Sequence, residues 1–317
     1  MRTLIGFIQA AAQATQQAPP PGARPVGPAP GFSYSDAFFQ LVQFVGYFLA
    51  IGAIGFRFGI VRRVRGISEE AKQILRADNA ALLGIVGVLL LFVSYLGAPF
   101  IGSITEHKTF VEMLPKNIAP FQLRMAMVLL ALIGFALVRV SPGLGWTLAT
   151  IGILIAVLQP VYTSRLSGKV NAVHILAAST WLGTLLVLSI VGIRGVIRLG
   201  APGITRAELV CDLVNAFSPL ALTAATIVAL TGATTAWLHL KRVSALWTTS
   251  YGITLIIKLM FVLGVVVMGA WNWKRVRPSL GESGSEETIR RSGTMELTFG
   301  ALVLLATSVL VTLPSPK

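Results

Sequence analysis

The chain has 317 residues, of which 55% are hydrophobic and only 12% charged, and its mean hydropathy is +0.78. Soluble domains carry about 25% charged residues, so this composition excludes a soluble enzyme and indicates an all-α protein that crosses a membrane several times. The formal charge of +14 does not imply nucleic acid, because the cations lie in short loops between apolar runs, where they set topology and meet lipid headgroups.

Residues 1–16 read MRTLIGFIQAAAQATQ. One arginine, an apolar run and alanines come in the order of a weak signal segment, but Gln9 interrupts the run; cleavage and an uncleaved tail both stay open. Residues 18–31, APPPGARPVGPAPG, form a Pro/Gly-rich linker that cannot join a packed core. The chain divides into three regions: a tail over 1–35, spans 1–4 over 36–165, and spans 5–8 over 166–317.

Eight apolar runs are each long enough to cross ~30 Å of hydrocarbon. They cover 37–60, 81–102, 120–140, 144–163, 171–193, 214–238, 251–273 and 296–314. Ser141-Pro142-Gly143 separates the third run from the fourth and predicts a tight turn between antiparallel neighbours. Dense Lys/Arg clusters such as Arg62, Arg63, Arg65, Lys72 and Arg76, or Lys274, Arg275 and Arg277, abut the ends of spans 1 and 7. The opposite side carries the sparser Lys108, Lys116, Arg124, Arg165, Lys169, Lys241 and Arg242. The positive-inside rule therefore places both termini outside.

With that orientation the three histidines fall on the outer side: His107 after span 2, His174 at the start of span 5, His239 at the end of span 6. Imidazole is a good ligand for copper and other late transition metals. Asn171, His174, Ala178 and Trp181 share one helical face, and Thr231, Thr235 and His239 share another. Against a metal stands an interfacial histidine capped by water or a carbonyl, with Trp181 only packing. His107 sits near Glu106, Glu112 and Met113, a set that could receive copper, although its spacing matches no strong motif. Met125 and Met127 in span 3, with Met260 and Met268 in span 7, could form a thioether ladder; ordinary core filling is the alternative. Cys211, the single cysteine, excludes an intramolecular disulfide and any cysteine-based cluster.

Lys258 is anomalous. It lies inside span 7, where a lysine costs at least ~2.5 kcal/mol, and no carboxylate shares its depth. Tyr251 and Thr254 precede it on one face, so snorkelling to the outer headgroups is the simple account. A functional lysine there would suit an anionic group instead, such as a haem propionate, a phosphate or a quinone carbonyl.

The stretch LTGATTAWLHLKRVSALWTTSYGITLIIKLMFVLGVVVMGAWN, residues 230–272, resembles the bacterial copper resistance protein D (CopD) family. The matching pieces are Thr231-Gly232, Ala236-Trp237-Leu238-His239, Ala245-Leu246-Trp247, Tyr251-Gly252, Leu255, Lys258-Leu259 and Asn272. Upstream, His174 and Trp181-Leu182-Gly183 resemble the family's histidine followed by Trp-Leu-Gly. Two departures stand out: Ser250 where the family commonly has proline, and Thr184 where it has a second glycine. The resemblance covers spans 5 to 8. It implies a multi-pass protein of the bacterial inner membrane that moves copper from periplasm to cytoplasm. His174 and His239 would be its metal ligands, with Trp181, Tyr251, Lys258 and Asn272 as further functional residues. It also implies a separate periplasmic copper-binding partner of the CopC type, besides copper ion and membrane lipid. No tightly held cofactor and no enzymatic activity are expected. Two other readings stay open: a haem or quinone redox protein with the same histidines as axial ligands, and a scaffold that transports nothing.

Overall fold

The computed structural model describes residues 33–64, 77–193, 206–240, 242–272 and 285–314, with residues 195 and 274. The tail, the linker and many loop cations, among them Arg65, Lys72, Arg76, Lys241, Arg275 and Arg277, lie outside the described residues.

Eight helices are long and apolar enough to cross a membrane. They are α1 (Tyr34–Val64), α2 (Ala77–Thr105), α3 (Ile118–Leu137), α4 (Pro142–Thr163), α5 (Leu166–Ile193), α6 (Arg206–Leu240), α7 (Ser250–Trp271) and α8 (Ser285–Thr312). Each overlaps one run expected from hydropathy, and the described residues include no strand. Residues at the helix ends, beyond hydrophobicity alone, help to set the boundaries. Ser33 caps α1 by accepting from the Asp36 N–H at 3.2 Å. Pro142 opens α4 in its first turn, where the missing N–H costs nothing.

Small residues decide which helices touch. A Cβ on Gly134 of α3 would stand 2.3 Å from the Ala149 nitrogen of α4, so these backbones are in direct contact after the Ser141-Pro142-Gly143 turn. α1 is the central post, packing against α2, α5 and α8. Its closest approach is to α5: a Cβ on Gly183 would lie 2.2 Å from the Phe48 carbonyl oxygen, and one on Gly52 would lie 2.3 Å from the Gly183 oxygen. At this crossing α5 contains a π turn, Ser179–Gly183. The extra residue of a π turn rotates the side chains beyond it about the helix axis, and Trp181 lies within this turn. Trp181 packs between the main core and a smaller cluster of Phe48, Leu182 and Val265.

A polar knot closes the α1–α4 half near the ends of α2 and α4. Gln43 donates to the Tyr95 hydroxyl at 3.1 Å, and the Tyr95 and Tyr47 hydroxyls lie 2.6 Å apart. Tyr47 reaches the Ala156 carbonyl at 3.5 Å. Arg124 donates to Gln159 and lies over the Tyr95 ring, 5.4 Å from its centroid. Counting Arg124 as a loop cation was wrong: it lies within α3, turned into this knot.

Candidate functional site

α6 and α7 carry the candidate site. α6 packs against α5 and α7 against α8, and among the described residues α6 and α7 share few close backbone approaches, which leaves the space between them as the candidate cleft. They touch at one end, where Tyr251 packs with Ala236 and Leu240 and its ring stacks on His239, centroids 6.1 Å apart and planes 15° from parallel.

His174, near the start of α5, reaches across to α6. Its Nδ1 lies 2.9 Å from the Thr231 hydroxyl. That hydroxyl commits its own hydrogen to the Ile227 carbonyl at 2.6 Å, so it accepts, and His174 carries the proton on Nδ1. Gly232 makes the approach possible, since a Cβ there would stand 3.2 Å from His174 Cε1. His239 lies two turns along the same α6 stripe and turns its Nδ1 to the Thr235 carbonyl at 2.8 Å. A carbonyl only accepts, so this ring is also protonated on Nδ1. Both imidazoles therefore present Nε2 as the nitrogen with a free lone pair. This is the tautomer and second-shell support that metal-ligating histidines use. Their anchors, Thr231 and Thr235, are one turn apart, about 6 Å by helical rise.

α7 answers with a stripe of its own. Tyr251, Lys258, Val265 and Asn272 recur every seven residues; Tyr251 and Val265 are buried, and Lys258 and Asn272 half-buried. Tyr251 meets His239, and Lys258 is the charged side chain whose field reaches the His174 imidazole. Lys258 is half-buried on this stripe, and Tyr251 and Thr254, along the run to the headgroups expected of it, are themselves buried. Val265 joins Phe48 and Leu182 in an apolar layer, backed by Trp181 and Phe299. Beyond that layer Asn272 donates its amide N–H to Glu296 of α8 at 2.6 Å. Glu296 did not stand out from the sequence. The heptad spacing from Tyr251 to Asn272, with a carboxylate across the next turn, was the signal available.

The remaining candidates have other duties. His107 is exposed and holds φ 54°, the left-handed turn that ends α2. Glu106 pairs with Lys108 at 2.6 Å, and its hydrogen bond and charge push that ammonium above its usual range. Glu112 accepts from the Thr109 N–H at 3.0 Å as part of a capping box. Met113 packs its Cε against Gly102. Met125 is half-buried in α3, and Met260 is 63% exposed on the outside of the bundle. Among the described residues no three His, Cys, Asp or Glu side chains gather as a metal cluster.

Both departures from the family pattern have a local reason. Ser250 is the first residue of α7 after its cap, the position at which proline is also tolerated, and Thr249 caps the helix through the Gly252 N–H at 3.0 Å. Thr184 fits because α1 supplies Gly55, where a Cβ would lie 2.1 Å from the Thr184 hydroxyl.

The copper transport protein CutJ of Bacillus subtilis (strain 168) is 27% identical to this chain over 145 residues. The alignment takes in 45% of this chain and 24% of CutJ, so it spans about a quarter of that relative's length. No solved structure matches. The family model of copper resistance protein D matches residues 212–310, which run from α6 through α8 and include the whole α7 stripe.

Proposed function

We propose that this chain handles copper in a bacterial inner membrane, admitting the ion from the periplasm through the cleft between α6 and α7 and releasing it to the cytoplasm. The observation that carries this reading is the hydrogen bonding of the two histidines: Nδ1 of His174 faces the Thr231 hydroxyl and Nδ1 of His239 the Thr235 carbonyl, an arrangement that assigns the lone pair of each ring to Nε2. The family match over α6–α8 and the likeness to a copper transport protein support the identity of the ion. The excess of Lys/Arg at the opposite helix ends supports the periplasmic placement of the histidines. An inward monovalent cation gains ~2.3 kcal/mol per 100 mV of membrane potential, so the gradient and potential suffice as driving force. A separate periplasmic copper-binding protein would deliver the ion. Cellular copper is the test: it should rise with expression of the chain and fall back when His174 and His239 are both changed to alanine. Equal copper in all three strains would sink the reading.

One observation favours a second reading. The charge of Lys258 acts on His174, so it repels a metal cation there but suits a haem propionate. A Soret band in the purified protein would replace the copper permease with a haem protein that uses the same two histidines.

A further inference from the structure

The α7 stripe ends on a group that the histidine site does not use. Glu296 is only 8% exposed, although it lies within a membrane-spanning segment. One neutral donor, the Asn272 amide, serves its Oε1. Among the described residues no second donor and no cation reaches the carboxylate. Lys258 is fourteen residues up α7, about 21 Å by helical rise, and an apolar layer at Val265 lies between them. There is room beside it: a Cβ built on Gly269 would find only Glu296 Oε1, at 3.6 Å, within 4 Å. A buried carboxylate with one neutral partner is expensive in a membrane, and a glutamine would accept from Asn272 without that cost. The charge itself is what needs a reason.

We infer that Glu296, oriented by Asn272, is a second cation station at the end of the cleft opposite the histidines, reached after the apolar layer around Val265. This rests on the copper reading. Tyr251 and Asn272 are separated by about 31 Å of helix, the thickness of the hydrocarbon core, so the two stations stand at its two faces. Their ligand chemistry differs in the useful sense. Imidazole holds copper well, whereas a lone carboxylate is a hard ligand that holds a soft ion weakly, and an exit station must let go.

The experiment is copper uptake by the full chain in proteoliposomes, with copper(I) ion kept reduced by ascorbate and rates normalised to folded protein. Glu296→Gln keeps the acceptor for Asn272 and removes only the charge. Its maximal rate should drop about tenfold while half-saturating copper stays within about twofold, because capture at the histidines precedes this step. Glu296→Asp, which keeps the charge, should retain more rate than Gln. A wild-type rate for E296Q, a change confined to half-saturation, or an Asp rate no higher than Gln overturns the inference. If His174→Ala with His239→Ala also leaves uptake unchanged, the copper reading itself has failed; if only the Glu296 variants behave as wild type, the second station alone is lost.

Discussion

His174 on α5 and Thr231 on α6 are joined by a 2.9 Å hydrogen bond in which the imidazole is the donor. The bond selects the tautomer, and the tautomer frees Nε2. Thr231→Val keeps the shape of the stripe and removes the acceptor. Loss of such an outer-shell partner typically costs 10–100-fold in metal affinity, so copper uptake at low concentration should fall by at least about tenfold. Thr231→Ser should restore it. Wild-type uptake by the valine protein would mean that the ring is held by something else.

The crossing of α1 and α5 is the tightest test of the fold. Gly183→Ala drives a methyl to 2.2 Å from the Phe48 oxygen, backbone that cannot swing aside. Overpacking of this kind costs about 1–3 kcal/mol, and thermal unfolding in detergent should report it. Gly143→Ala is the control, because nothing lies within 4 Å of that Cβ. Equal melting temperatures for the two variants would refute the close contact.

These two predictions also mark what the sequence could reveal. Hydropathy located all eight helices, because twenty apolar residues in lipid have no other way to satisfy their backbone. The Ser141-Pro142-Gly143 turn was legible for an equally local reason. The π turn at Ser179–Gly183 was not: it coincides with the close approach of Gly183 to Phe48 of α1, a contact between residues far apart in the chain. His174 and His239 stood out by residue type. Their hydrogen bonds did not, since these depend on Thr231 from a neighbouring helix and on the rotamer that turns His239 to the Thr235 carbonyl. Glu296 was not legible because its partner, Asn272, lies on the preceding helix, a pairing that only the packing of α7 on α8 reveals.

The Tyr47–Tyr95 pair predicts a stability effect in the other half of the bundle. Tyr95→Phe strands the Gln43 amide, leaves the Tyr47 hydroxyl only its long bond to the Ala156 carbonyl, and leaves Arg124 over a plain ring. Single interhelical hydrogen bonds in membranes average ~0.6 kcal/mol and reach ~1.7. Loss of two should therefore cost about 1–2 kcal/mol, with copper uptake per folded molecule unchanged. A cost below the single-bond average would show that the knot is rearranged, not broken.

Lys258 separates the copper reading from the haem reading by sign. Its ammonium acts on His174, and like charges in a poorly screened interior repel strongly. If a copper cation binds at His174, Lys258→Met relieves that repulsion and copper binding should tighten severalfold, while Lys258→Arg keeps the charge and should not improve on the native protein. If the site holds an anionic group such as a haem propionate, the same Lys258→Met change removes an attractive partner and binding should weaken. A copper titration of the purified protein reads the difference, and weaker copper binding by the methionine variant would count directly against a cation at His174. The substitution also removes a charge from a membrane-spanning helix, so the fold should gain stability in both cases, and a melting curve measured alongside keeps a folding effect apart from a binding one.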